Sequence, residues 1–379
     1  MSPNLIALAI PVFFIFIGLE LFVARRRGAA VYRLADALSD LGCGIGQRAV
    51  LVLGAAAVLT LYALVYAKAR LITFAPASPW PWLMAVVGVE VGYYWWHRLS
   101  HEVNLLWVVH VVHHQSEDYN LAVALRQAIL SPVTVLPFYL PLAVLGVPLV
   151  HFAVVEALVT LYQFWIHTEL VGRIGPLEAV LNTPSHHRVH HAVNPQYLDR
   201  NYGGTFIVWD RLFGSFQKEE APCVYGVSHP LQSFNSAWAQ LQPWVALGGE
   251  VSRAPSLAAA LRFLFASPEY RPAWVGPTGP LRGQPGTPET KYEVQPGRAR
   301  TAYVFVNFVL LVAGAFSLVM WGADLPLAPR IVAVALVLLS LATLGGLLEI
   351  RRWATPLEVA RWVAVVGVTA WVVLGRPVA

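Results

Sequence analysis

The chain has 379 residues, of which 57% are hydrophobic and only 12% charged; an average soluble domain carries about 25% charged residues, so a bilayer must solvate much of this chain. The formal net charge of +5 fits basic loops at a membrane face rather than a nucleic-acid partner. Two cysteines, Cys43 and Cys223, exclude a disulfide scaffold, a Cys₄ zinc site and an iron–sulfur cluster, which leaves histidine and carboxylate to hold any metal.

From the N-terminus, an apolar stretch runs from Leu5 to Val23 and ends in Arg25-Arg26-Arg27. A secretory signal carries its positive charge first and has a shorter apolar core, so this segment reads as a retained span. Further stretches of spanning length lie near 47–67, 80–96, 302–322, 330–348 and 357–375. Each can cover a hydrocarbon core of about 30 Å at about 1.5 Å per residue. The long apolar run 129–167 is broken at Leu145-Gly146-Val147-Pro148 and reads as two spans meeting at a tight turn. The expected fold is therefore all-α, a polytopic membrane bundle of about eight spans.

Arginine sets the expected orientation. Arg25 to Arg27, Arg33 and Arg48 lie between the first two spans, and Arg351 and Arg352 between the last two. With those loops cytoplasmic, every clustered histidine falls on the cytoplasmic side, while Lys68, Arg70 and Arg330 are exceptions to the bias. The segment 168–300 is then the one long extramembrane part. Its aromatic stretch Phe234 to Trp244 suits the interface, and the Pro- and Gly-rich residues 276–298 read as a linker.

Twelve histidines are an ordinary count, but five fall within 97–114 and four within 186–191. They form one HxxxH pattern, His97 and His101, and two HxxHH patterns: His110, His113 and His114, then His187, His190 and His191. Helical residues three and four apart share a face, so each pattern can present several imidazoles to one metal. Packed together without a metal, their nitrogens would compete for few acceptors. Eight such histidines exceed the needs of one ion, and two ions are the economical reading. His167, at the end of a predicted span, is a further ligand candidate. His186 precedes its pattern and is placed beside the site, while the lone His151 and His229 read as ordinary core or surface residues. A zinc-protease HExxH is absent, because Leu105 stands where its second histidine belongs. Imidazole suits zinc, copper, iron and nickel alike, so spacing alone does not choose the metal.

Other residues carry weaker signals. Glu90 lies two helical turns before His97, and a carboxylate within a span is a functional candidate by default. It could orient a ligand imidazole through its second nitrogen; Glu156 is a similar, weaker case. Tyr93, Tyr94, Trp95 and Trp96 read as an interfacial aromatic belt or as a substrate wall. Asn120, Arg126 and Asn201 are polar candidates near the metals or the lipid head.

The residues around the histidines resemble the fatty acid hydroxylase and sterol desaturase superfamily, and most closely its alkylglycerol monooxygenase (glyceryl-ether monooxygenase) branch. Three stretches carry the likeness: Trp96 to Asn104 continuing through Ser116-Glu117-Asp118-Tyr119-Asn120-Leu121 to Gln127, then Leu161 to Glu169, then Gly175 to His191 with Asn201-Tyr202-Gly203-Gly204 and Trp209 to Gly214. Gln115 and Ala192 depart from the usual Ser and Gly. The resemblance implies two Fe ions, O₂ as co-substrate, tetrahydrobiopterin as reductant, and a functional role for Glu102 beside His101. It also implies hydroxylation of the carbon next to an ether oxygen, after which the hemiacetal collapses to a fatty aldehyde and a glycerol. On this reading the chain divides into N-terminal spans (1–79), a di-iron catalytic core (80–230), an interfacial segment and linker (231–300) and C-terminal spans (301–379). The reading implies a multi-pass integral membrane protein, of the cytoplasmic membrane if bacterial, taking a lipid from the bilayer and electrons from a reduced pterin or an unidentified reductase. The rival readings are a hydroxylase or desaturase of a sterol, hopanoid, carotenoid or aminolipid, and more distantly a metal transporter.

Overall fold

The computed structural model describes residues 5–276, 282–283 and 290–374. Among the described residues there is no strand, only two isolated bridges, Leu181 with Phe206 and Ala192 with Tyr225. The helices α1 (Leu5–Arg27) and α2 (Leu34–Ala69) lead into α3 (Trp80–Glu102) and α4 (Asn104–His114). The hairpin of α5 (Ser131–Val144) and α6 (Leu149–Trp165) follows, then the short α7 (Pro184–His191) and α8 (Val208–Phe213). Next come α9 (Ser236–Val251) and α10 (Leu257–Phe265), and α11 (Arg298–Trp321), α12 (Leu327–Leu348) and α13 (Ala354–Leu374) close the chain.

Four helices combine the length and apolarity of a membrane crossing, where about eight were expected: Leu8–Arg27, Leu34–Ala69, Arg298–Asp324 and Leu327–Leu348. The helices α3 and α13 have spanning length, 23 and 21 residues. The hairpin helices are shorter, 14 and 17 residues, or about 21 and 26 Å against a hydrocarbon core of about 30 Å. Conversely, α2 is longer than a crossing needs, at 36 residues. Its first four turns bury Asp36, Ser39, Asp40 and Gln47 against protein, so the apolar crossing begins after them.

The histidine-bearing segments gather at one end of the bundle. There Arg27 donates to the Leu170 carbonyl at 3.0 Å, and Glu349, after α12, accepts from the Phe234 N–H at 2.6 Å. At the other end the Leu71 N–H donates to the Val144 carbonyl at 2.7 Å and the Tyr62 hydroxyl to the Val147 carbonyl at 3.0 Å. A packed core of α2, α3, α5 and α6 joins the two ends, with Tyr62, Val89, Tyr139 and Phe152 buried in it. A second core ties α2 to α11 and α12. The expected interfacial segment folds as α9, capped by Asn235, whose side chain accepts from the Ala237 and Trp238 N–H groups; the helix leaves Trp238, Leu241, Trp244 and Val245 exposed.

Gly146 turns the α5–α6 hairpin with φ +88°, and a Cβ there would lie 2.1 Å from the Ile72 carbonyl oxygen. Gly146→Ala is expected to lower thermal stability by about 1–3 kcal/mol, from backbone strain and the clash. Metal content should be unchanged, because the turn lies at the opposite end from the histidines; calorimetry with elemental analysis checks both.

Candidate metal centre

The chain breaks between α3 and α4 at the single extended residue Val103 (φ −129°, ψ 119°). Asn104 anchors the break by donating to the Phe263 carbonyl at 2.9 Å. This bend brings His97 and His101, at the end of α3, to His110 and His114 on α4. From the other side comes α7, an eight-residue helix in which every residue is buried. Proline at its first turn gives up no N–H that the helix could use.

The nine imidazoles sort into two groups. His97, His101, His110, His114 and His190 form one, and His113, His167, His187 and His191 the other; within each group the candidate ligand nitrogens lie within 4.8 Å of one another. Each HxxHH pattern is shared between them. Residues four apart, His110 with His114 and His187 with His191, face one group, while the middle members, His113 and His190, turn to the other. Thus α4 and α7 both bridge the two groups. His186 belongs to neither, and its ring lies 3.5 Å from the Thr183 hydroxyl.

Backbone carbonyls fix the rings. His97 Nδ1 donates to Tyr202 O at 2.8 Å, His113 to Arg126 O at 2.9 Å, His167 to Gln163 O at 2.7 Å and His190 to Arg200 O at 2.9 Å. A carbonyl can only accept, so these four carry their proton on Nδ1 and present the Nε2 lone pair. The Nε2 atoms of His113 and His167 are then two lone pairs 3.3 Å apart. The buried Nε2 atoms of His97, His101, His190 and His191 have no hydrogen-bond partner. Lone pairs converging in a buried space need cations between them, and the donor set fits two metal ions.

Around this ring of carbonyls sits a second set of polar residues. Arg126, 1% exposed, donates to Val112 O (2.6 Å), Ser39 Oγ (3.0 Å), Asp40 Oδ1 (3.0 Å) and Gln115 Oε1 (2.9 Å). It thereby positions its own carbonyl on His113. Asp210 accepts from the N–H groups of Tyr202 and Gly203, both at 2.7 Å, and so steadies the carbonyl that holds His97. Asn201 adopts φ +58° and clips α7 to the following loop, donating to His186 O at 3.0 Å and Gln217 O at 2.8 Å. Asn120 donates to Val31 O at 2.7 Å, tying the site to the entry of α2. Asp199, which no pattern singled out, lies 3.8 Å from His101 Nδ1.

Two carboxylates are placed differently from expectation. Glu90 touches no imidazole; it accepts from the Thr205 N–H at 3.1 Å and the Phe206 N–H at 3.3 Å, and so braces the loop that follows Tyr202. Glu102 pairs with Arg98 at 2.9 Å, its side chain 37% exposed, outside both histidine groups. Of the aromatic run, Tyr94 bonds Ser215 Oγ at 2.8 Å. Tyr93 and Trp96 instead line a cavity of about 370 Å³ between α1, α2, α5, α6 and α11. That cavity reaches His110, His113 and His167, members of both groups.

Burial pushes His113 down to about 4 and His190 down to about 3 from the ordinary 6.5. Burial also holds His114, His167, His187 and His191 well below their usual value, with neighbouring histidines adding to it. Neutral imidazole is the ligand form. Above pH 6.5 folded and unfolded chains bind the same protons on these groups; below it the unfolded chain takes up protons that the fold refuses. Metal-stripped protein should therefore lose melting temperature steadily as pH falls from 6.5 towards 4 and lose none of it to these groups between pH 7 and 8.

The fatty acid hydroxylase family matches residues 82–215, the stretch that holds all nine clustered histidines. The chain is 38% identical over 357 residues to alkylglycerol monooxygenase of Xenopus tropicalis, covering 92% of this chain and 78% of that protein. It is 37% identical to the Homo sapiens alkylglycerol monooxygenase, covering 92% and 79%. An ornithine lipid hydroxylase of Rhizobium tropici is 32% identical over 38% of this chain and 46% of its own length. No solved structure gives a significant match. Likeness that runs from the N-terminal spans through the metal-site residues to the C-terminal helices places the chain in the alkylglycerol monooxygenase family, within the fatty acid hydroxylases.

Proposed function

We propose that the protein is an ether-lipid monooxygenase that hydroxylates the carbon next to the ether oxygen of an alkylglycerol. The hemiacetal then breaks down to a fatty aldehyde and a glycerol. The observation that carries this reading is the apolar cavity reaching His110, His113 and His167, which sets a lipid-sized space against both histidine groups.

Two iron ions are the metals proposed, held by the five-histidine and four-histidine groups. Bound iron supplies the activation of O₂ that attack on an unactivated C–H bond needs and that side chains cannot provide. The protein's part is placement. The carbonyls of Tyr202, Arg126, Gln163 and Arg200 keep four rings from turning. Leu51, Val58, Leu136 and Phe152 give the cavity an apolar wall that can hold an alkyl tail and exclude water beside the metals. Tetrahydrobiopterin is the proposed reductant, arriving from the cytoplasm. The arginines at the histidine end support a cytoplasmic-facing site. Glu102 is proposed to act from outside the ligand groups. The division into N-terminal spans, catalytic core, interfacial segment and C-terminal spans is kept as part of the proposal, as is a count of about eight crossings.

The ornithine lipid hydroxylase and the sterol desaturases match little more than a third of the chain, 38% and 37% of it in two cases. The alkylglycerol monooxygenases match 92%, including the α2 and α11 residues that line the cavity. That difference favours the ether lipid. Purified protein should carry about two irons per chain, and His113→Ala and His190→Ala should each lose both, because each residue sits on a helix that bridges the groups. With O₂, tetrahydrobiopterin and an alkylglycerol, the iron-loaded protein should release fatty aldehyde, and the two variants none. One tightly bound zinc, or iron-loaded protein that forms no aldehyde, contradicts the proposal.

A further inference from the structure

The cavity beside the metals is apolar along most of its wall, yet it carries both an arginine and a glutamate, Arg48 on α2 and Glu156 on α6. Charged side chains within a bilayer are costly and are retained for a use. The three glutamines of this wall are already engaged with the backbone: Gln47 with Ala128 O at 2.9 Å, Gln127 with Ala124 O at 3.0 Å and Gln163 with Val159 O at 3.2 Å. Among the described residues, Glu156 accepts only from the Thr160 hydroxyl, at 3.2 Å. The guanidinium of Arg48 has no hydrogen-bond partner among the described residues, although its charge and that of Glu156 interact. Among the charged side chains of the cavity, Arg48 is thus a free donor fork and Glu156 an under-used acceptor, and both line the space that touches His110, His113 and His167.

The chemistry of the pair limits what fits between them. A phosphate head would meet the carboxylate, and an ammonium head would meet the guanidinium. Together the two charges cancel, which selects an uncharged group that both donates and accepts, such as neighbouring hydroxyls. Arg48 also starts close to the metals. It follows Gln47, which is bonded to Ala128, two residues beyond the carbonyl that holds His113. We propose that Arg48 and Glu156 form a binding subsite for the neutral hydroxyl-bearing head of the lipid, so that the head lies inside the cavity and not in the aqueous phase. This rests on the ether-lipid reading of the same site: a head held here sets the ether carbon beside the histidines, while the apolar wall takes the tail.

The test measures binding, not turnover, on full-length iron-loaded protein in detergent, following tryptophan fluorescence because Trp96 lines the cavity. The probes are 1-O-hexadecylglycerol and hexadecyl methyl ether, which share tail and ether but differ in the hydroxyls. Wild-type protein should bind the glycerol ether about 10-fold or more tightly than the methyl ether, as hydrogen bonds to charged groups allow. Arg48→Met and Glu156→Gln should each abolish that preference while methyl-ether affinity and iron content stay as they were. A double variant, Arg48→Met with Glu156→Leu, removes both charges together and carries the same reading where one leftover charge destabilises the chain. A preference that survives in all variants, or an equal loss for both probes, overturns the subsite. Glycerol-ether binding that depends on the pair without aldehyde formation overturns the ether-cleavage proposal and leaves the subsite standing. Aldehyde formation with a preference indifferent to the pair does the reverse.

Discussion

Nine imidazoles are driven into one buried volume with their ligand nitrogens converging, and the rest of the structure follows from that constraint. The Nε2 lone pairs of His113 and His167 stand 3.3 Å apart with both Nδ1 atoms already donating to carbonyls. No rearrangement of protons within those two rings turns the contact into a hydrogen bond. Only a cation, or a proton that burial disfavours, can occupy it. The tautomer that suits a metal ligand is thus imposed at the level of backbone geometry, by the main-chain carbonyls of Arg126, Gln163, Tyr202 and Arg200.

Those carbonyls are in turn held by polar side chains drawn from distant parts of the chain. Arg126 is locked by Ser39 and Asp40 of α2, which explains why α2 extends past the length of a crossing into the histidine end. Asp210 and Glu90 brace the 202–206 loop at its two ends. Glu117 and Asp118, shortly after the first HxxHH pattern, pair with Arg33, Arg282 and Lys291, so Arg282 and Lys291, which follow α10 in the chain, pack on the same face. Removing one partner of a fully buried pair such as Arg126 with Asp40 typically costs about 3–5 kcal/mol, and here the loss would be passed to the carbonyl that holds His113. The membrane helices supply the other half of the design: a cavity whose wall is continuous with the metal groups at His110, His113 and His167.

The histidines themselves were legible because their spacings are helical and their crowding is hard to explain otherwise. The division of each HxxHH pattern between two groups follows from the same geometry. At about 100° per residue, His110 and His114 differ by about 40° while His113 lies about 60° to the other side. Which group each one joins depends on how α4 and α7 pack, and that is a tertiary fact. Glu90 was legible as a carboxylate with a purpose, yet its partners are the backbone N–H groups of Thr205 and Phe206, which no pattern of side chains reveals. Asp40 and Asp199 were invisible for the same reason: ordinary acids in ordinary contexts, given meaning only by a fold that sets them beside Arg126 and His101. Arg48 was read as a marker of orientation, and only the cavity shows it facing Glu156. Apolar stretches located the hairpin, but not the shortness of its helices, α5 and α6, at 14 and 17 residues.

The central claim is that the two histidine groups enclose two irons. Diffraction from crystals of the iron-loaded protein, collected on either side of the iron absorption edge, tests it directly. The account predicts two anomalous peaks, one among His97, His101, His110, His114 and His190 and one among His113, His167, His187 and His191. A single peak, a peak that persists below the iron edge with the strength expected of another metal, or imidazoles turned away from one another would contradict it.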